Sequence, residues 1–320
     1  MKLITEKDEW NTLVSNTEGT DTFYTYDFMD ITKEKNDKLW LIYHENNSHH
    51  VLYPVYVRKI NETYSDIFSA EHGGPIFNTN NKDFIKEFFD KFKEFCKENN
   101  IVSEFCRLNP FNEHKKEITK ELNGEIIKDT VIADLTKELT IIPDRMKKIE
   151  KAKEVLEIKE NKNPELFYEM YSSTMERLNA SKRFIHSLEF FEKLFKQEDV
   201  KVFTAYFEEK PVASILLIHF GENVHTFLSC SYEENYNAND LLKYHALIWA
   251  KEEGYKKYNL GGGLKDNDSL YQYKSTFSNQ TTPRCIYKRI FNKEVYDELV
   301  KNNPQEDSNF FPAYRIHSGS

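Results

Sequence analysis

The residues best suited to chemistry lie between positions 261 and 277. Three consecutive glycines, Gly261–Gly263, are followed by Tyr271, Lys274 and Phe277. The chain has only 10 glycines, and in such a chain glycine marks positions that need positive φ or a close approach. The three glycines follow a predicted strand, so their backbone N–H groups are suited to binding an anion or an oxyanion. The structural alternative is a wide turn leaving a buried strand.

Lys274 is the side chain that we single out as catalytic. It lies among aromatic residues, with Tyr271 and Tyr273 before it and Phe277 after it. A lysine partly shielded from water by aromatic rings can hold a phosphate or stabilise a developing oxyanion. The alternative is an ordinary surface lysine whose aliphatic stem covers an aromatic surface.

Known nucleophile and nucleotide motifs do not occur in the sequence. The glycines are followed neither by the Lys-Ser/Thr of a phosphate-binding loop nor by the spacing of a dinucleotide fingerprint. The chain also has no GxSxG elbow and no HExxH zinc motif. The sequence therefore favours direct attack by an acceptor on an activated donor, without a covalent enzyme intermediate.

Further candidates are isolated charged residues. Arg177 is suited to bidentate recognition of a phosphate or carboxylate, and it is equally suited to a surface salt bridge. His225, in an apolar stretch, is more typical of a core histidine than of a catalytic base. Glu104 and Arg107 can form an internal ion pair across a strand. A second glycine pair, Gly73-Gly74, precedes Pro75.

The elements that must position these residues follow an α+β order. Apolar periodicity predicts strands separated by turns in each half of the chain, and helices marked by one apolar face. The predicted helices are Lys7–Val14, Phe23–Ile31, Asp83–Glu98, Pro164–Asn179, Ser187–Lys196, a helix capped by Asn239 or Asp240 and stopped by Gly254, and Lys293–Asn302. The predicted strands are Leu39–His44, Val51–Ile60, Ile101–Leu108, Thr130–Leu135, Val200–Glu208, Val212–Phe220, Val224–Ser231, Tyr258–Leu260 and Cys285–Phe291.

The chain is expected to divide into two domains, residues 1–145 and 146–320. Near this boundary, Pro143–Asn163 is dense in lysine and glutamate, which favours a solvated connecting helix. The functional alternative is that its lysines hold an anionic substrate. No residue-level repeat relates the halves, so a duplication is inferred from element order alone.

Composition excludes several classes of protein. The net charge of −9 argues against a nucleic-acid footprint over the whole protein, although a local basic groove stays open. The four cysteines form no CxxC pair and no zinc spacing, so free thiols and no metal are expected. The absence of a signal-like segment and of a long apolar run predicts a cytoplasmic protein.

In this order, the motifs resemble the FemAB-like, peptidoglycan-bridge branch of the GNAT acyltransferase superfamily. The matching pieces are Tyr53–Arg58, Asp66–Ile67, Gly73–Pro75, Val102–Pro110, Thr174–Ala180, Leu228–Ser229, Asn239–Trp249, Asn259–Gly263 and Leu270–Phe277. They span about 230 residues. The resemblance implies two tandem GNAT-like domains that face a shared cleft, each with a mixed, mostly antiparallel sheet flanked by helices. The second domain would carry the main transferase motifs.

The resemblance also implies acyl transfer to an amine. In the best-known branch the donor is an aminoacyl-tRNA and the acceptor is a peptidoglycan precursor. Lys274 takes the place of the family's lysine, and Arg177 that of a substrate-binding arginine. The expected substrate-binding set is Arg177, Tyr271, Phe277, Gly261, Gly262, Gly263, Gly73, Gly74 and Arg107. No permanently bound cofactor is expected.

The sequence departs from the family pattern at Ala70–His72 and at Ser181–Phe184, where acceptor contacts are expected. The donor also stays open between aminoacyl-tRNA and acyl-CoA. Tyr232–Asn239, where a CoA-binding GNAT domain has its glycine-rich loop, contains no glycine and two glutamates. These glutamates would repel a pyrophosphate, which favours aminoacyl-tRNA, while the negative net charge disfavours tRNA. An alternative of another class is a non-catalytic glycan- or peptide-binding protein on a transferase fold.

Overall fold

The computed structural model describes residues 1–234, 236–303 and 310–315, which form two compact units. Unit 1 contains Met1–Ile127 and the described residues from Arg284 onward, and unit 2 contains Lys128–Pro283. The units do not coincide with the predicted ranges 1–145 and 146–320. The chain passes between units within two strands, β7 (Glu125–Asp134) and β13 (Gln280–Ile290).

The helices and strands of unit 1 cover most of its length. The strands are β1 (Lys2–Ile4), β2 (Lys38–Asn46), β3 (His49–Lys59), β4 (Ser65–Phe68), β5 (Ile76–Phe77) and β6 (Ile101–Arg107). The helices are α1 (Lys7–Ser15), α2 (Tyr26–Thr32), α3 (Lys82–Glu98), α4 (Lys115–Glu121) and α10 (Lys293–Asn302). A short 3₁₀ helix covers Thr22–Tyr24.

Unit 2 also contains both strands and helices. Its strands besides β7 are β8 (Glu157–Glu160), β9 (Val200–Phe207), β10 (Lys210–Phe220), β11 (Asn223–Ser231) and β12 (Lys257–Gly261). Its helices are α5 (Pro143–Lys153), α6 (Pro164–Arg177), α7 (Leu188–Leu194), α8 (Ala238–Glu252) and α9 (Ser269–Ser275), with a 3₁₀ turn at Lys182–Phe184. Most predicted elements are confirmed, whereas α4, α9 and the short strands β1, β4, β5 and β8 were not predicted.

Local sequence explains why the main helices form. Helix α3 begins where the Asn81 side chain accepts hydrogen bonds from the backbone N–H groups of Asp83 and Phe84. Its apolar face buries Phe84, Phe88, Phe89, Phe92 and Cys96 in the core of unit 1. Helix α8 begins differently from the prediction, because the residue before its first turn is Asn237 in the left-handed conformation. Neither Asn239 nor Asp240 caps it, and Gly254 ends it with a φ of +85°.

Each unit is built on a mostly antiparallel sheet with one parallel pair. In unit 1 the strand order is β1-β2-β3-β4-β6-β13, and β4 with β6 is the parallel pair. In unit 2 the order is β7-β12-β11-β10-β9-β8, and β11 with β12 is the parallel pair. In both units three antiparallel strands lead through a long helix, α3 or α8, to the parallel strand.

The fold class is therefore the predicted one, α+β with two sheet-and-helix units of the same topology. The duplication that element order suggested is present in the strand connections. Each parallel strand needs a helical crossover, which is why α3 and α8 occupy equivalent positions.

Candidate functional site

The candidate site lies where β11 and β12 separate in unit 2. Parallel pairing joins Asn223–His225 of β11 to Lys257–Asn259 of β12. In the described part of the chain the pairing stops there, although β11 continues to Ser231. Strand edges that part in this way present backbone N–H and C=O groups to a ligand.

Unit 1 closes the equivalent position with its own backbone. Pairing of β4 with β6 is extended by a parallel bridge between Gly73 and Leu108. The Gly73 N–H donates to the Arg107 carbonyl at 3.0 Å. A Cβ on Gly74 would lie 2.5 Å from the Leu108 side chain. The predicted substrate-binding glycines 73 and 74 thus have a packing reason to be glycine, in unit 1.

Arg107 and Glu104 do not pair with each other, contrary to the ion pair considered from sequence. Residues three apart on a strand point to opposite faces, and here Arg107 lies 3.5 Å from Glu71. Glu104 is buried and accepts hydrogen bonds from the hydroxyls of Tyr53 (2.6 Å) and Tyr287 (2.9 Å). Burial raises the pKa of the Glu104 carboxyl.

Lys274 of α9 reaches the end of β12. Its ammonium donates to the Gly262 carbonyl at 2.9 Å, and the side chain is half-buried. Tyr271, one turn earlier, is partly buried against the core of unit 2. The structure therefore brings together Lys274, Tyr271 and the glycine segment, as predicted. Which of these groups contacts a substrate stays a prediction.

The three glycines allow this close approach. Gly261 has a φ of +85°, and a Cβ there would lie 2.7 Å from the Lys274 ammonium. A Cβ on Gly263 would overlap the Asp268 carboxylate. The Asp268 side chain accepts from the N–H groups of Lys265 (2.8 Å) and Tyr271 (2.9 Å). These hydrogen bonds lower the pKa of Asp268 and fix the loop between β12 and α9.

Two further contacts hold the glycine segment, and sequence reasoning missed both. The Lys128 ammonium donates to the carbonyls of Gly263 and Leu264. The Gly261 N–H donates to the Asn259 side chain at 2.8 Å, so this donor is already used. The Asn259 amide lies 3.0 Å from a ring nitrogen of His225. His225 is buried, as expected for a core histidine.

Phe277 is fully buried in the core of unit 2, where its ring meets Tyr273 and Arg145. Its contribution is therefore to support the end of α9 from the core. Arg145 of α5 also donates to the Thr276 hydroxyl (2.9 Å) and to the Asp240 carboxylate (2.5 Å). This arginine lies in the segment predicted as a solvated connecting helix, and it joins α5 to α8 and to the end of α9.

Lys243 of α8 is buried near the same aromatic residues. Its ammonium lies 5.9 Å from the Tyr273 ring and 6.0 Å from the Phe277 ring. Burial and, less strongly, the charge of Lys274 lower the pKa of Lys243 to about 7, against an opposing effect of Asp240. A lysine in an otherwise apolar helix face was the sequence signal that could have identified it.

Arg177 lies in unit 2, at the last residue of α6. The residue is exposed, and its guanidinium donates to the Ser231 carbonyl at 3.0 Å. Thr174 donates to the same carbonyl, also at 3.0 Å. Arg177 therefore lies at the end of β11, beyond the point where β11 and β12 separate.

Comparison with protein families gives a match at this site. Residues 140–275 match the model of a family described as "Acetyltransferase (GNAT) domain". The matched range covers α5 to α9 and contains the glycine segment and Lys274. The residues of the candidate site are therefore similar to a GNAT acetyltransferase domain. A comparison of the chain with curated protein sequences gave no match.

Solved structures share its fold. FemX is similar over 93% of this chain and 99% of its own, with a TM-score of 0.75 and 13% identity. L-PGS from Bacillus licheniformis is similar over 90% of this chain and 93% of its own, with a TM-score of 0.59 and 12% identity. A third similar structure is the C-terminal domain of a proposed lysylphosphatidylglycerol synthetase from Agrobacterium fabrum. The similarity covers 92% of this chain and 95% of that domain, with a TM-score of 0.57 and 13% identity. The predicted FemAB-like resemblance is confirmed at the level of the fold.

Two physical properties of the chain complete the description. All four cysteines are buried free thiols. Among the helices of the described residues, none combines the length and apolar composition needed to cross a membrane.

Proposed function

We propose that this protein is an acyltransferase that forms an amide on an amine of a cell-envelope precursor, either a peptidoglycan peptide or an amino sugar. The observation that carries the proposal is the position of Lys274, whose ammonium lies against the Gly262 carbonyl at the end of β12. The FemAB-like resemblance and the shared fold with FemX support this class of acceptor.

Lys274 is suited to stabilise the negative charge that develops during acyl transfer. Its positively charged ammonium is held at the end of β12 by the Gly262 carbonyl. This charge would stabilise an oxygen that becomes negatively charged when the amine attacks the donor carbonyl. Because the glycine segment and Asp268 fix the position of the loop beforehand, little reorganisation is needed at the moment of reaction. Orientation of donor and acceptor supplies the rest of the rate enhancement.

The start of α8 favours aminoacyl-tRNA as the donor. The segment entering this helix carries Glu233 and Glu234 and contains no glycine, and Asn235 lies outside the described residues. Asp240 in the first turn is an additional negative charge, held by Arg145. A pyrophosphate binds best at a helix start with free N–H groups and no acidic neighbours. This arrangement is unfavourable for the pyrophosphate of CoA.

Acyl-CoA is the second candidate donor, with a small amine such as an amino sugar as acceptor. The observation that favours it is the match of residues 140–275 to an acetyltransferase domain.

One set of assays tests donor and site together. Wild-type protein is incubated with an amine acceptor and either aminoacyl-tRNA or acetyl-CoA, and product formation and thermal shift are measured for each donor. We expect transfer from aminoacyl-tRNA, and at least a roughly hundredfold loss of it in Lys274→Ala with an unchanged melting temperature. Lys265→Ala, an exposed lysine in the same loop, is the matched control and should transfer normally.

Each contrary result has a defined meaning. A saturable thermal shift with acetyl-CoA alone would reverse the donor assignment. Near-normal turnover of Lys274→Ala would remove Lys274 from the site. Binding of glycans or peptides without transfer from either donor would favour the non-catalytic alternative.

A further inference from the structure

Two arginines of unit 1 share one carboxylate. Arg107 is the last residue of β6, and Arg284 lies on the neighbouring strand β13. Arg107 pairs in register with Ile286, and Arg284 comes two residues before Ile286. Both arginines therefore lie on the same face of the sheet. In the part of the chain that the structure describes, Glu71 is the one carboxylate that forms an ion pair with either arginine.

The backbone brings Glu71 to this position by leaving the strand ladder. The Ser69 N–H donates to the Phe105 carbonyl at 3.1 Å. The next such bond joins the Gly73 N–H to the Arg107 carbonyl at 3.0 Å. The chain between Ser69 and Gly73 therefore bulges out, because it has more residues than the length of β6 that it faces. Glu71 is the middle residue of this bulge, and its side chain extends to both arginines.

The ion pair with Glu71 uses only part of the Arg284 guanidinium. Its Nη2 donates to Oε1 of Glu71. Nε lies on the same edge of the guanidinium as Nη2, and the two N–H groups together can hold both oxygens of a carboxylate or phosphate. Among the described residues, this Nε is buried and has no hydrogen-bond partner. Because a buried N–H without an acceptor is destabilising, this edge is suited to a ligand that offers two oxygens at once.

Glu71 is the most easily displaced member of the cluster. Its Oε2 lies 3.5 Å from Nη1 of Arg107, so the carboxylate divides its oxygens between two guanidinium groups. The Glu71 side chain is 51% exposed, whereas the Arg107 and Arg284 side chains are 34% and 18% exposed. The Arg107 guanidinium also lies over the Phe105 ring, 4.8 Å from its centre. The two arginines are thus held by the sheet, while the carboxylate projects from a bulge.

We propose that Arg107 and Arg284 form a binding site for the anionic group of a ligand, a carboxylate or a phosphate, which displaces the Glu71 carboxylate. Two oxygens of this group match Nε and Nη2 of Arg284, and its charge also attracts Arg107. Glu71 makes the site selective, because a ligand binds only if it competes successfully with this carboxylate. The peptide form of the proposed acceptor carries a carboxylate, and to that extent the choice of ligand rests on the proposed function. Binding of the anion does not.

The NMR signals of arginine Nε–H groups test the site in the wild-type protein. Inorganic phosphate and acetate are titrated separately, with chloride replacing them so that the ionic strength stays constant. We expect the Arg284 Nε–H signal to shift and to saturate with at least one of the two anions. Saturation by phosphate alone identifies a phosphate ligand, and saturation by acetate alone identifies a carboxylate ligand. Saturation by both shows that the site takes either group.

Variants test the displacement of Glu71. Glu71→Gln keeps the size of the side chain and removes its charge, so the anion should bind roughly fivefold more tightly than to wild type. Glu125→Gln is the matched control, since the Glu125 side chain is 57% exposed and pairs with Lys288 at 3.1 Å. It should bind as wild type does. Arg284→Lys keeps the charge but loses the two-donor edge, so it should bind at least roughly tenfold more weakly. The signal missing from this variant also assigns Arg284.

The wild-type titration alone can overturn the inference. An Arg284 signal that follows neither anion contradicts the site, whether or not the variants fold. Equal anion affinities of wild type and Glu71→Gln contradict the displacement. The titration uses neither donor nor transfer, so its outcome is distinct from that of the proposed function. Anion binding without transfer from any donor would leave this inference standing, and transfer by a protein that binds neither anion would remove this inference alone.

Discussion

At the scale of single residues, the candidate site depends on glycines that leave space for neighbouring charged side chains. Lys274 can reach the Gly262 carbonyl because position 261 has no Cβ in its path. The Asp268 carboxylate closes the loop because position 263 has none either. The glycines therefore act mainly by making room for an ammonium and a carboxylate. The backbone N–H groups of the glycines were predicted to bind an anion. The Gly261 N–H already donates to the Asn259 side chain and does not serve this role.

The Gly261→Ala variant should separate the loss of space for the Lys274 ammonium from simple backbone strain. The positive φ would cost about 1–2 kcal/mol for alanine, and the methyl group would displace the Lys274 ammonium from the Gly262 carbonyl. We expect transfer to fall by roughly a hundredfold, measured as kcat/KM, with stability measured by urea unfolding.

Gly254→Ala is the matched control for this variant. Gly254 has the same φ of +85°, and a Cβ there would meet nothing within 4 Å. The Gly254→Ala variant should lose a similar amount of free energy of unfolding while keeping normal transfer activity. Equal activities of the two variants would mean that the position of Lys274 is not important for the reaction.

At the scale of elements, one arginine contacts residues of three helical segments in unit 2. Arg145 of α5 bonds to Asp240 on α8 and to Thr276 directly after α9, and it stacks on Tyr273 at 4.7 Å. On the exposed side of α5, Lys147 pairs with Asp144 and Lys153 with Glu150, and Lys153 also lies 4.6 Å from the Tyr244 ring of α8. The predicted solvated helix is thus correct for one face of α5, and the other face is structural.

Arg145→Met should destabilise unit 2 by about 3–5 kcal/mol, because it leaves the buried Asp240 carboxylate without its partner. Adding Asp240→Asn should recover part of this loss, since an amide is less costly to bury unpaired than a charge. The measurement is a double-mutant cycle by urea unfolding. Additive effects would show that the two residues do not stabilise each other. Lys147→Met, on the exposed face of α5, should change stability by less than about 0.5 kcal/mol.

At the scale of the whole molecule, two units share one topology but differ at the equivalent position. In unit 1 the glycine pair 73–74 extends the pairing between β4 and β6. In unit 2 the pairing between β11 and β12 stops after three residues, and Lys274 lies beside the end of β12. We therefore propose that the chemistry takes place in unit 2, while the glycine pair of unit 1 has a structural role.

The bounds of unit 2 can be tested with fragments. The core of this unit includes Val131, Ala133 and Leu135, and β7 pairs with β12 from Val131 to Asp134. A fragment of residues 128–283 keeps these contacts, whereas one of residues 146–320 loses them and exposes the edge of β12. We expect cooperative urea unfolding, followed by circular dichroism, only for 128–283. Cooperative unfolding of 146–320 alone would instead support the boundary expected from sequence.

The sequence by itself determined the elements with strong local signals. The apolar face of α3, the turns between β9, β10 and β11, and the Gly254 stop of α8 follow from periodicity and from residues with special backbone preferences. The link between the glycine segment and Lys274 was also visible, because all of these residues lie within 14 positions of one another. Helix α9 was missed because it is only 7 residues long and buries none of its residues fully.

Only the tertiary structure decided the contacts between residues distant in sequence. Lys128 reaches the carbonyls of Gly263 and Leu264 across more than 130 positions, and Arg145 reaches Asp240 across 95. No local pattern encodes such pairs, because each depends on which strands and helices pack together. The division within β7 and β13 is of the same kind, since compact units are defined by contacts and not by order along the chain. The low pKa of Lys243 likewise comes from burial and a neighbouring charge, both of which exist only in the folded chain.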